Sequence, residues 1–136
     1  MGRLMAIDVG KKRNGIAVTD PLRIVAKGIV TLPPEEVIPF LQTYFTKEEV
    51  DKVLIGYPLN NEGQPTDATA HVTHFIARFK KVFPDKELEL VDELFSSKRA
   101  AQALVQSGIK KKDRQRKDLL DQMSAALFLQ DYLQNL

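Results

Sequence analysis

Three acidic positions could do metal chemistry: Asp8, the pair Asp92-Glu93, and Asp121. Asp8 ends the run Leu4-Met5-Ala6-Ile7, which is apolar on both faces, as in a strand covered on both sides. A carboxylate placed there needs a cation or a donor, because an unpaired charge in such surroundings is costly. Asp92 and Glu93 close a second apolar run, and Asp121 lies about one turn into an otherwise apolar helical stretch. Carboxylate oxygens are hard ligands that suit magnesium or manganese, and these ions keep open positions for phosphate oxygens. Two such ions about 3.5–4 Å apart activate water and stabilise the leaving oxygen of a phosphodiester. The residue pattern leaves open whether Asp92 or Glu93 would serve. Each acid also has an ordinary reading: Asp8 as the cap of a turn, Asp92-Glu93 as the polar end of a strand, Asp121 as a solvated helix residue.

Basic residues flank two of these acids. Lys11, Lys12 and Arg13 follow Asp8 directly, and Lys110, Lys111, Lys112, Arg114, Arg116 and Lys117 precede Asp121, offset by Asp113 and Asp118. Cations beside candidate metal-binding acids suit a polyanionic substrate, nucleic acid above all. A charge run can equally be a solvated surface, and the net charge of only +2 does not decide between the two. His71 and His74 are three apart on a helical stretch, but no further ligand lies near them in the sequence, so they read as solvent-facing. The aromatic residues read as core filling, and Ser96 and Ser97 as helix caps.

The elements that must position these groups follow from patterning. Leu4 to Asp20 reads as strand, tight turn and antiparallel strand, with Gly10 and Gly15 bracketing the turn. A third strand is expected over Ile24–Leu32. The apolar stripe Val37, Ile38, Leu41, Tyr44, Phe45 makes a helix whose start Pro39 pushes late. Lys52–Gly56 reads as a central strand opening into a loop. A helix follows, capped by Thr66 or Asp67 with Val72, Phe75, Ile76, Phe79 and Phe83 inward, and Pro84 ends it. A fifth strand runs to Asp92. Another helix lies between Ser96 or Ser97 and Gly108, and a last one carries Leu119, Leu120, Met123, Ala126, Leu127 and Leu133 inward. This order gives an α/β mixed five-stranded sheet, its first three strands an antiparallel meander, flanked by helices. Helix-connected strands should be parallel, with ligands at the carboxyl ends where Asp8 and Asp92-Glu93 lie.

A length of 136 residues suits one domain, residues 1–136, with a single core. There is no cysteine, hence no disulfide framework and no thiolate ligand or nucleophile. No apolar run approaches membrane-spanning length and no export signal is visible, so a cytoplasmic, soluble protein without a membrane partner is expected.

Over nearly its whole length the chain resembles the YqgF (RuvX) family of the ribonuclease H-like superfamily. The matching segments are Ile7-Asp8-Val9-Gly10 with Arg13 and Gly15 to Pro21; Ile55-Gly56-Tyr57-Pro58-Leu59-Asn60 with Gly63; Val91-Asp92-Glu93; and Asp121 with Ser124 to Leu133. The first motif alone is shared with actin-like ATPases and sugar kinases; the set in this order is specific. The resemblance implies a ribonuclease H-like fold and a Mg2+- or Mn2+-dependent nuclease with Asp8, Glu93 and Asp121 as its acidic triad. It adds Asn60 to the nucleic-acid contacts with Lys11, Lys12, Arg13 and the residues from Lys110 to Lys117. The family is linked to 5′-end maturation of pre-16S ribosomal RNA and is also provisionally labelled Holliday junction resolvase. This chain departs from the family at Leu94, where an arginine is usual, and at Ser96-Ser97, where two threonines are usual. The serines keep the hydroxyls; Leu94 removes a phosphate contact or ion pair.

Three functions therefore compete. The first is an endonuclease on structured ribosomal RNA precursor, monomeric or weakly dimeric. The second is a resolvase of branched DNA, which needs a symmetric dimer to cut two strands. The third is a non-catalytic nucleic-acid-binding factor of ribosome assembly. An actin-like ATPase needs two such domains, and the chain has room for one.

Overall fold

The structure is a computed structural model that describes residues 2–57, 67–92 and 117–134. Five strands form one sheet: β1 (Arg3–Val9), β2 (Asn14–Thr19), β3 (Ala26–Leu32), β4 (Val50–Tyr57) and β5 (Glu87–Asp92). Their order across the sheet is β3-β2-β1-β4-β5. The first three pair antiparallel, and β4 and β5 are parallel to β1. The expected α/β mixed sheet with an antiparallel meander is present, flanked by α1 (Pro34–Lys47), α2 (Asp67–Val82) and α3 (Lys117–Gln134). The helix expected between Ser96 and Gly108 and the loop from Pro58 to Thr66 lie outside the described residues.

The sheet is covered on both faces, and alternation along β1 sorts its side chains between two cores. Met5, Ile7 and Val9 join Val37, Ile38 and Leu41 of α1 and Val72, Phe75 and Phe79 of α2. Leu4 and Ala6 join Ala17 of β2, Leu54 of β4 and Ala125, Phe128 and Leu129 of α3. Phe79 and Phe128 anchor the two cores and are almost fully buried. Burying such a ring contributes about 1.5–3 kcal/mol.

Two boundaries and one helix face differ from the sequence reading, the boundaries for local reasons. The third strand begins at Ala26, not Ile24, because the Asp20 carboxylate accepts the backbone N–H groups of Ile24 and Val25, both at 2.8 Å, and so folds them into the turn. Ile24 and Val25 are left exposed there. Helix α1 starts at Pro34, with Glu35 and Glu36 in its first turn, and carries Pro39 inside it. A first-turn proline and acids near the helix N-terminus favour the early start, and the lost N–H of Pro39 is tolerated. The face of α3 is also rotated. Its fully buried residues are Ser124, Ala125, Phe128 and Leu129, whereas Leu120, Met123, Ala126, Leu127 and Leu133 are half-buried. The helix is apolar nearly all round, so its phase is set by the sheet beneath it. The small residues Ser124 and Ala125 allow a close approach.

Candidate active site

Asp8 is the next residue after Leu4 and Ala6 on the α3 face of β1, since the register runs without a break through Ile7↔Ile16, Asp8↔Gly15 and Val9↔Asn14. Cross-strand partners share a face. Opposite Asp8, therefore, stands Gly15, which has no side chain. Backbone of α3 fills that space: a Cβ on Gly15 would overlap the carbonyl group of Asp121 and approach the Gln122 nitrogen to 2.9 Å. Gly28 on β3 repeats the arrangement one strand over, where a Cβ would come within 2.8 Å of Gln122 Cβ. The two glycines let α3 lie directly on the sheet, and that contact puts the turn bearing Asp121 beside the end of β1. Asp8 and Asp121, 113 positions apart in the chain, are brought to one corner of the molecule.

The turn between β1 and β2 completes this corner. Asn14 accepts the Gly10 N–H through Oδ1 at 2.9 Å and ties the two ends of the turn together. A Cβ at Gly10 would approach the Arg13 carbonyl oxygen to 2.6 Å, so the turn is built for glycine there. Held this way, Arg13 reaches across to α3, and its Nε donates to Asp121 Oδ2 at 2.9 Å. The pair is partly shielded, with side-chain exposures of 38% and 23%. Asp121 is thus neither a solvated helix residue nor an isolated charge. Lys11 and Lys12, at the tip of the same turn, are exposed.

The donor set fits a hard divalent cation. Asp8 and Asp121 both offer carboxylate oxygens from one face of the sheet, and the chain has no cysteine to favour a soft metal. Two carboxylates are not a complete site, and among the described residues no three His, Cys, Asp or Glu gather. Glu93 lies just past the described end of β5. Asp92, its neighbour, pairs with Tyr57 of β4 at the same carboxyl end of the parallel strands. Asn60 and the basic residues Lys110, Lys111, Lys112, Arg114 and Arg116 are also outside the described residues, and Lys117 is the first residue of α3.

The sequence reading missed a cleft of about 350 Å³ on the other side of the turn, lined by Lys11, Asn14, His71, His74 and Arg78 among others. His74 is exposed, as its solvent-facing reading expects, whereas His71 is half-buried, and both share the cleft with cations. The positions 71, 74 and 78 follow the helical period, and that signal was available in the sequence. No helix among the described residues is long and apolar enough to cross a membrane.

Comparison with known proteins gives these features a family. The profile of the RuvX family, described as Holliday junction resolvase, matches residues 2–135. A protein of Flavobacterium psychrophilum is 51% identical over 133 residues, spanning 98% of this chain and 97% of its own length. One of Flavobacterium johnsoniae is 47% identical over 133 residues, spanning 98% and 96%. Both carry the provisional name pre-16S rRNA nuclease. Among solved structures, T. thermophilus RuvC in complex with a Holliday junction substrate superposes with a TM-score of 0.63 at 12% identity, covering 99% of this chain and 95% of that one, which shows a shared fold. With the acids of the first strand and last helix drawn to one corner of that fold, and nearly every residue matched, the chain belongs to the RuvX (YqgF) family.

Proposed function

We propose that this chain is a divalent-metal-dependent nuclease that hydrolyses phosphodiesters in structured RNA, acting in 5′-end processing of pre-16S ribosomal RNA. The observation that carries this reading is the seating of α3 on Gly15, which sets Asp121 beside Asp8 on one face of the sheet. The names of the relatives that share about half its residues supply the substrate.

Asp8, Asp121 and Glu93 are the ligands in this reading. Glu93 is taken over its neighbour Asp92 from the family resemblance, at the carboxyl end of β5 (Glu87–Asp92). A bound Mg2+ or Mn2+ supplies Lewis acidity toward a phosphodiester oxygen and lowers the pKa of water. Arg13 fixes the orientation of the Asp121 carboxylate and keeps its charge compensated. Lys11 and Lys12 draw the polyanion to the turn, with Arg13, Asn60 and the segment from Lys110 to Lys117 as further contacts. The protein works as a single domain in the cytoplasm, as a monomer or weak homodimer.

A second reading, resolution of branched DNA, is favoured by the family description and shares the same acids. Cleavage of a labelled ribosomal RNA leader and of a four-way DNA junction separates the two. Each is run with Mg2+, with chelator, and with Asp8→Asn. Metal-dependent cutting of the RNA alone, abolished by the substitution, supports the first reading. Paired symmetric cuts in the junction support the second. Binding of RNA without cleavage, unaltered in Asp8→Asn, overturns both in favour of an assembly factor.

A further inference from the structure

On the α2 side of the sheet, the turn that carries Arg13 toward Asp121 also forms one wall of the cleft noted above. We propose that this cleft is a second phosphate-binding subsite, which holds the nucleic-acid backbone next to the phosphodiester presented to Asp8 and Asp121; this rests on the nuclease reading.

Four cationic or imidazole side chains converge there. Lys11 comes from the turn, and His71, His74 and Arg78 come from α2. Among the described residues that line the cleft there is no carboxylate. Arg78 stands exposed at the rim, its Nη2 making a long 3.4 Å contact to the Pro34 carbonyl, and a guanidinium has further donors to offer. Asn14 supplies an independent sign of a ligand. It is 1% exposed, its Oδ1 is committed to the Gly10 N–H, and its Nδ2 is buried without a hydrogen-bond partner. A buried donor of that kind is costly unless an acceptor reaches it, and a phosphate oxygen is such an acceptor. The volume of about 350 Å³ is that of a nucleotide-sized site, well beyond a single ion. Position argues for the backbone over a free anion. The same short turn borders the cleft on one face and the carboxylate corner on the other, so a strand passing over Lys11 reaches both.

The test uses the full chain in the Asp8→Asn background, so that RNA is bound without being cut. A labelled ribosomal leader RNA is titrated at several salt concentrations, and the His71 and His74 ring signals are followed by NMR during addition of RNA or of inorganic phosphate. The variants are Arg78→Ala and His71→Gln/His74→Gln, each checked for an unchanged thermal midpoint. Expected is a loss of RNA affinity of about three- to tenfold per variant, a salt slope shallower by about one for Arg78→Ala, and ring signals that move with RNA. Unchanged affinity with unmoved signals overturns the subsite. Signals that move with inorganic phosphate only, with RNA affinity unchanged, overturn the backbone assignment and leave a free-anion site. Cleavage by the chain with Asp8 intact is measured alongside. Its absence, with cleft-dependent RNA binding retained, sinks the nuclease reading and spares the subsite.

Discussion

The guanidinium of Arg13 donates to the carboxylate of Asp121 at 2.9 Å, joining the turn after β1 to the first part of α3 across 108 residues of sequence. This pair lies at the corner where Asp8 emerges from β1. It makes the orientation of one candidate metal ligand depend on a residue five positions after the other.

Replacing Arg13 should separate stability from chemistry. The pair is partly exposed, so Arg13→Ala is expected to cost at most about 1 kcal/mol of folding free energy, read as a small shift in thermal midpoint. Cleavage should fall by about tenfold or more, because the Asp121 carboxylate loses both its orientation and its compensating charge. Arg13→Lys should restore part of the charge but little of the orientation, since an ammonium is a point charge without the planar fork. A variant that loses stability and activity in proportion would show that Arg13 only holds the fold.

Gly15 gives a sharper test of how the site is assembled. Gly15→Ala puts a methyl group where the Asp121 carbonyl lies, on a helix that cannot yield locally. The expected destabilisation is about 1–3 kcal/mol by chemical denaturation, with loss of cleavage as α3 is lifted from the sheet. Gly28→Ala meets Gln122 at the neighbouring contact and should destabilise similarly. Its effect on cleavage should be smaller, because Gly28 is not the partner of Asp8. Equal activity losses would argue against the specific role of Gly15.

Much of this corner was legible in the sequence, and the part that was not has a common cause. The hairpin from Leu4 to Asp20 follows from alternation and its two glycines, both local signals. Asp8 at a strand end follows from the same run. The face of α3 does not, because Leu119, Leu120, Met123 and Leu127 compete with Ala125 and Phe128 in a helix apolar nearly all round. Gly15 and Gly28, about a hundred residues earlier, decide the phase by admitting Asp121 and Gln122. The Arg13–Asp121 pair is hidden for the same reason: nothing local to either residue names the other. The start of β3 was misplaced because Ile24 and Val25 have strand propensity, whereas the Asp20 carboxylate takes their N–H groups.

The far end of the sheet should set the acid limit of stability. Asp51 accepts the Gly2 N–H at 2.8 Å and an Arg23 N–H at 2.6 Å, and these hold its pKa below the ordinary 3.8. Asp20 is held low in the same sense by the N–H groups of Val25 and Ile24. A lowered folded-state pKa adds stability that is present above the unfolded value and is lost as pH falls through the folded one. Thermal midpoints followed downward from about pH 6 should therefore drop below about pH 4, and the drop should be shallower in Asp51→Asn and Asp20→Asn. A parallel acid limb in both variants would place the titrating groups elsewhere.

On the alkaline side Lys52 contributes with the opposite sign, as does Tyr44, whose hydroxyl pKa burial raises above 10.0. Lys52 donates to the Tyr132 hydroxyl at 3.1 Å and to Glu89 at 3.3 Å, and both raise its pKa above 10.5. Its contribution is complete below the unfolded value and is lost as pH rises through the folded one. Lys52→Met should flatten the fall in thermal midpoint above about pH 10 and leave the acid limb unchanged.

The most direct test of the central claim is the binding of Mn2+ itself, measured by titration calorimetry on the chain and on Asp8→Asn and Asp121→Asn. If the two carboxylates form one site, each single substitution should weaken Mn2+ binding by about tenfold or more, and the double variant should be little worse than either single. Undiminished binding in either single variant, with the fold intact, would contradict the account.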